Sequence, residues 1–300
     1  MEEEKSLVIK DSEIIINKEV AFKHYELCDI SENTLKDYRY YLPLFLKYLE
    51  REGFNKTSYL NYKRWLKAQT QWTISTKQKY LVSARVWIKQ LFKQGVISID
   101  LLEDTKTFKQ STKHKKTGLN DKEIEKLSAY LSEFGDEKTK AVFGLLIFSG
   151  LRSQEVCDID VEDLTLNDIQ SSVMICSKGS DDKERVLILN KTVRLLNDYL
   201  RKQKLKSGAL FLSKNGKKRI TTRGLRRLVD RVFDKLEITS STHGLRHWFV
   251  SNQVKKNDNL LEIIRWTRHR NISTLMVYYD ELSLEKSFDK FSQAFEGISF

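Results

Sequence analysis

Cysteine is scarce: Cys28, Cys157 and Cys176 stand far apart, with no CxxC pair. This excludes a disulfide framework and a cysteine-based zinc site, and it suits a reducing interior. No apolar run approaches the ~20 residues needed to span a bilayer. The N-terminus, MEEEKSLVIKDSE, is acidic and lacks the basic-then-apolar layout of a signal peptide. Proline is nearly missing. Pro43, the one present, falls inside a helical pattern, where it should kink the helix or weaken a turn. Acidic residues almost vanish between 51 and 99, where Glu52 stands alone against Arg51, Lys56, Lys63, Arg64, Lys67, Lys77, Lys79, Arg85, Lys89 and Lys93. A solvated helical face normally mixes both signs, so a one-signed stretch points to a phosphate-facing surface. An ordinary lysine-rich surface is the bland alternative.

What is present fits a folded, basic protein. The 300 residues carry 53 Lys and Arg against 41 Asp and Glu, a formal charge of +12. With 40% hydrophobic and 11% aromatic residues, the chain can bury a sizeable core, so global disorder is excluded. Its length suits one large domain or two ordinary ones. A polyanion is the leading partner, no membrane is expected, and a cytoplasmic location follows.

Hydrophobic spacing divides the chain in two. Residues 1–24 form an N-terminal extension, and 25–105 read as a small helical domain. After Ser31 as N-cap, Leu35, Tyr38, Leu42, Phe45, Leu46 and Leu49 follow a helical period that stops before Gly53. Further helices are expected over 58–69 and over 75–93, the latter with Ser75 as N-cap. The interleaved aromatics, among them Tyr59, Tyr62, Trp65, Trp87 and Phe92, read mainly as core. Residues 106–118, KTFKQSTKHKKTG, read as a flexible basic linker. Asn120 with Glu123 then opens a second domain over 119–300 with a variant capping box. There a buried helix over 140–148 ends at Gly150. Two β-prone runs, 173–176 and 185–189, flank a polar tip at 178–182, as in a hairpin. Helices over 191–204 and 222–236 follow, with a short strand over 210–212 between them. The class is mainly α with a small antiparallel sheet.

Four separated pieces carry chemistry. The first is Ser149-Gly150-Leu151-Arg152-Ser153-Gln154-Glu155, in which Arg152 follows a helix break and Glu155 lies one turn on, able to orient it. A surface ion pair would explain this piece taken alone. The second is His243-Gly244-Leu245-Arg246-His247, with His243 and Arg246 on one helical face. The third is Arg268-His269, followed nine residues after the histidine by Tyr278. The fourth is Lys178 on the hairpin tip.

Taken together, these pieces resemble the tyrosine recombinase (phage integrase) family. Its pattern is a small-Gly-Leu-Arg-x-x-Glu box, a hairpin lysine, His-x-x-Arg, and a histidine nine residues before a nucleophilic tyrosine. Short Arg/His motifs arise by chance, so the ordered set and its closing spacing carry the resemblance. The family's Leu-Gly-His is Thr267-Arg268-His269 here. Lys183 competes with Lys178 for the hairpin role, and Tyr279 sits beside Tyr278. The spacing and the Ser177-Lys178-Gly179 tip favour Lys178 and Tyr278.

The resemblance implies an N-terminal helical (SAM-like) core-binding domain and a C-terminal catalytic domain of Xer-like layout. It implies Arg152 and Arg246 as a phosphate clamp, Tyr278 as nucleophile, His243 as base or hydrogen-bond partner, and Lys178 as acid. His269 would bind the phosphate and Glu155 would steady Arg152. DNA contacts are expected from Lys63, Arg64, Lys67, Lys77, Lys79, Arg85, Lys89, Arg223, Arg226 and Arg227. His247 reads as a support of its helix. Cleavage and rejoining would need no metal, ATP or other cofactor, and the partner would be double-stranded DNA with paired half-sites. A C-terminal helix over about 282–298 would dock in a neighbouring protomer, giving a homotetramer on two sites. A type IB-like topoisomerase and a non-catalytic DNA-binding protein of this fold are the competing readings.

Overall fold

A computed structural model describes residues 18–26, 28–97, 102, 105–109, 118–167, 169–177, 182–213, 215–216, 218–257, 259–269 and 272–280. The chain divides into two compact units, Met1–Ser111 and Thr112–Phe300. Of the basic linker, 110–117 lie outside the described residues.

The first unit is helical: α1 (Lys18–Glu26), α2 (Glu32–Glu52), α3 (Ser58–Ala68) and α4 (Ile74–Lys93). Ser31 caps α2, its hydroxyl accepting from Thr34 N–H at 3.4 Å, and Gly53 ends it at φ 75°. The helix runs through Pro43. Helix α4 begins one residue earlier than expected. Thr73, not Ser75, is its cap, because the extended Thr73 hydroxyl accepts from Thr76 N–H. The apolar stripe of α2 meets Tyr59, Tyr62, Leu81 and Trp87, all fully buried. Two buried polar groups are satisfied across helices, Trp87 Nε1 on Ala21 O at 3.0 Å and Tyr25 Oη on Ser83 O at 2.8 Å. Ala21, assigned above to an N-terminal extension, therefore lies in this core. Phe92, expected in the core, is 41% exposed at the end of α4.

The second unit begins with α5 (Asp121–Phe134), where Asn120 and Glu123 form the reciprocal capping box. Helix α6 (Glu137–Phe148) is buried almost throughout, which explains its unbroken run of apolar residues. Next come α7 (Ser153–Asp158), a 3₁₀ turn, β1 (Leu164–Thr165), β2 (Ser172–Cys176) and β3 (Lys183–Leu187). The strands form one antiparallel sheet in the order β1-β2-β3, with Val173 opposite both Leu164 and Val186. Helices α8 (Asn190–Gln203), α9 (Thr222–Lys235), α10 (Thr242–Lys256), α11 (Leu260–Thr267) and α12 (Ile272–Asp280) complete it. The strand expected over 210–212 does not form. Its backbone partners are two isolated bridges from different segments, Asp160–Ala209 and Leu212–Arg219, so no ladder builds. Among the described residues, no helix is long and apolar enough to cross a membrane.

Helix α10 serves two hydrophobic clusters. Leu245 joins the main core built on α6, β2, α8 and α9. Phe249, Val250 and Val254 form a separate small cluster with Ile263, Leu275 and Tyr278.

Trp87 supplies the largest buried side chain of the first unit and a buried hydrogen bond. Trp87→Ala should destabilise that unit by about 3–5 kcal/mol, seen as lost hydrogen-exchange protection in α1 and α4.

Candidate active site

All described members of the sequence-derived constellation lie in the second unit, around the turn between α6 and α7. Gly150 makes that turn at φ 57°, and a Cβ there would clash with the Phe249 ring. Glycine is required on both counts. The turn places Arg152 immediately before α7. Glu155, buried at 2% side-chain exposure, accepts from Arg152 N–H at 2.7 Å and from Arg152 Nη1 at 2.6 Å. The arginine is thus fixed at its base while its side chain stays 37% exposed.

Arg246 approaches the same turn from α10. It is 4% exposed; Nη1 donates to Gly150 O and Nη2 to Thr267 O. Ser153 Oγ donates to Thr242 Oγ1 at 2.8 Å and ties α7 to the start of α10. One buried guanidinium therefore joins the α6–α7 turn to the end of α11. Burial first, then the charges of Arg152 and Arg268, push Arg246 down to about 9. It remains a cation at neutral pH. The part due to Arg152 and Arg268 is a repulsion that a bound anion would relieve.

His269 follows α11. Thr267 Oγ1 donates to Ile263 O at 2.6 Å, so it accepts from His269 Nδ1 at 2.7 Å. This fixes the neutral tautomer, with Nδ1 protonated and Nε2 carrying the lone pair. Burial, followed by the charges of Arg246, Arg152 and Arg268, pushes the imidazole down to about 4.

Tyr278, on α12, is 6% exposed and its hydroxyl meets His247 Nδ1 at 2.9 Å. The His243 ring stands edge-on to His247, centroids 4.5 Å apart, and the His269 ring lies 6.2 Å from that of Tyr278. His243 itself is exposed. His247, read above only as a support of its helix, is thus in direct contact with the phenol. Its i+4 spacing from His243 was the available signal. Arg268, read only as a departure from a motif, is buried beside Glu155 at 2.9 Å.

Lys178 lies outside the described residues, as do the side chain of Tyr279 and the 282–298 segment. Lys183 pairs with Asp163, and that hydrogen bond holds its ammonium above the usual range. In the first unit, Arg64, Lys67, Lys79 and Lys89 are exposed, whereas Lys63, Lys77 and Arg85 are half-buried. Lys63 lies over the Phe108 ring, and Lys77 Nζ donates to Lys67 O. Among the described residues, none of these seven cations pairs with a carboxylate. Arg223, Arg226 and Arg227 are exposed on α9.

The family model described as the phage integrase family matches residues 118–284. Tyrosine recombinase XerA of Pyrococcus horikoshii is 27% identical over 278 residues, covering 90% of this chain and 92% of the relative. A putative tyrosine recombinase of Caldanaerobacter subterraneus is 32% identical over 222 residues, covering 69% of this chain and 72% of the relative. Among solved structures, XerH site-specific recombinase bound to its palindromic difH substrate has a TM-score of 0.72 at 19% identity, covering 92% of this chain and 84% of that one. The Tn1549 transposon integrase in complex with transposon right end DNA has a TM-score of 0.67 at 16% identity, covering 91% of this chain and 98% of that one. These two share the fold.

The His269 shift gives a pH dependence of defined sign. The unfolded chain takes up a proton near pH 6.5, whereas the folded site resists it until about 4. Stability is therefore full above that window and falls as pH drops through it. His269→Gln should flatten the melting temperature against pH between these values, by calorimetry.

Proposed function

We propose, because this chain belongs to the phage integrase family, that it is a site-specific recombinase that cleaves and rejoins double-stranded DNA through a 3′-phosphotyrosyl link. The observation that carries the proposal is the convergence of Arg152, Arg246 and His269 beside a buried phenol, with cationic charge in excess. A phosphodiester resists attack because its oxygens are negative and its alkoxide leaves poorly. Guanidiniums supply paired donors as charge builds on the pentacoordinate phosphorus. Arg152 and Arg246 take that role. Arg246 has two of its donors on carbonyls, which hold its plane while others face the phosphate.

Tyr278 Oη attacks phosphorus, the bond to the 5′ oxygen breaks, and the 5′ strand leaves as a hydroxyl. Forming phenolate at pH 7 costs roughly 4 kcal/mol for an unperturbed phenol. The neighbouring cations reduce this cost, and a histidine takes the proton. His243 is the sequence-derived candidate, and His247 is the partner seen on the hydroxyl. His269, whose Nδ1 is committed to Thr267, donates to a phosphate through Nε2 only after gaining a proton, which the anion favours. Lys178 protonates the leaving oxygen. Lys183 suits that role less, since its pair with Asp163 strengthens its hold on its proton.

The bond energy stays in the phosphotyrosine, so a second strand end reseals it without ATP, and no step calls for a metal. The cations of the first unit that meet no carboxylate among the described residues contact phosphates, and those on α9 do so in the second unit. Two pairs of half-sites and a homotetramer make the working assembly, with the apolar positions Leu284, Phe288, Phe291 and Phe295 as the docking stripe. This activity places the protein with DNA in the nucleoid.

Two experiments test the reading. A nicked suicide duplex bearing the recombination site, in EDTA, should give a covalent protein–DNA adduct with the parent protein and none with Tyr278→Phe. Arg152→Ala should slow adduct formation about 10²–10³-fold. An adduct that survives Tyr278→Phe and disappears with Tyr279→Phe shifts the nucleophile by one residue. Separately, log affinity for duplex against log salt should lose about one unit of slope for each phosphate-contacting lysine among Lys67, Lys79 and Lys89 changed to Gln. A slope unchanged by all three places the phosphate face elsewhere.

A further inference from the structure

Arg268 ends α11 at φ 54° and ψ 46°, in the left-handed region that favours glycine. Its side chain is nevertheless 8% exposed and closely engaged. Nη2 lies 2.9 Å from Glu155 Oε2 and 3.4 Å from Gly150 O. Nη1 lies 3.4 Å from Ser149 O, and Nε stands 3.5 Å from Glu184 Oε1 on β3. The backbone there closes α11, with Arg268 N–H and His269 N–H both on Ile264 O, and the guanidinium adds side-chain anchors to that cap.

Three elements meet on that guanidinium. Glu155 divides its carboxylate, Oε1 accepting from the Arg152 guanidinium and Oε2 from both Arg268 and Arg152 N–H. Gly150 O accepts from Arg246 as well as Arg268. Glu184, an ion-pair neighbour of Arg268 Nε rather than its hydrogen-bond acceptor, accepts from Ser177 Oγ, the residue before Lys178. Burial alone would push the Glu155 carboxyl up. The charge of Arg268, with the hydrogen bonds and charge of Arg152, holds it below its usual range.

We propose that Arg268 is a positioning residue for strand cleavage, holding Arg152 through Glu155 and bracing the turn and the hairpin against the end of α11. The inference rests on the phosphoryl-transfer reading of the site. Arg268 touches no substrate; it sets the direction of groups that do. Without Arg268, Oε2 keeps only the Arg152 N–H. A carboxylate held by Arg152 alone would let that side chain swing, and misplacement of about 1 Å costs on the order of 10²-fold in rate.

Arg268→Gly separates this role from a structural one, because glycine relieves the strained backbone while removing the guanidinium. On the suicide duplex at saturating protein, R268G should form adduct on the order of 10²-fold more slowly than the parent. Its affinity for duplex should change less than about threefold, since no phosphate contact is lost. Glu155→Gln in the R268G background should add little further slowing, because the two act as one unit. An R268G rate within twofold of the parent, or fully additive effects of the two substitutions, overturns the proposal. If R268G does not fold, Arg268→Lys decides. It keeps the charge and loses the fork, so a parental rate overturns the proposal and a slowed one supports it. Tyr278→Phe in the same assay reports on the underlying reading: an adduct there removes the reading of the site, whereas its absence with a parental R268G rate removes only the role of Arg268.

Discussion

The second unit depends on one buried carboxylate. Glu155 lies at 2% side-chain exposure with arginines on both of its oxygens and a backbone N–H as third donor. An unpaired buried carboxylate would be costly, so each arginine relieves a cost that the fold would otherwise carry. That relief runs in both directions. The arginines need a counter-charge to approach each other, and Glu155 supplies it while leaving the assembly cationic. A surface ion pair would give neither the direction nor the excess of charge.

Around this pair, the backbone does much of the orienting. Gly150 turns the chain so that its carbonyl faces Arg246, and it does so where Phe249 leaves no room for a Cβ. Thr267 offers its carbonyl to Arg246 and its hydroxyl to His269. Two short stretches, 149–152 and 267–269, thereby hold Arg152, Arg246, Arg268 and His269 in fixed relation. Helices α6, α10 and α11 supply the rigid supports, which is why the site tolerates the burial of so much charge.

Much of this was legible in the sequence. Helical periodicity located the helices because their apolar stripes face cores. The Asn120–Glu123 box and the glycine after α6 marked boundaries whose chemistry is local. The ordered Arg152, His243, Arg246, His269 and Tyr278 stood out through their resemblance to the pattern of the tyrosine recombinase family. Other features were hidden for physical reasons. The cap of α4 shifted to Thr73, since several hydroxyls nearby could serve and only backbone geometry selects one. The segment over 210–212 had strand composition and no partner strand, which propensity does not reveal. His247 and Arg268 were passed over because their partners, Tyr278 and Glu155, are 31 and 113 residues away. Tertiary contacts of that range leave no periodic trace.

The phenol of Tyr278 belongs to the small cluster of Phe249, Val250, Val254, Ile263 and Leu275, not to the main core. Small hydrophobic clusters open at a lower free energy than the core of a domain. The attacking atom sits in such a cluster, which also draws on α10 and α11, the helices that carry Arg246 and Thr267. The packing that seats the phenol is thus shared with those helices, so the nucleophile's placement and the phosphate receptor's geometry are tied through α10 and α11.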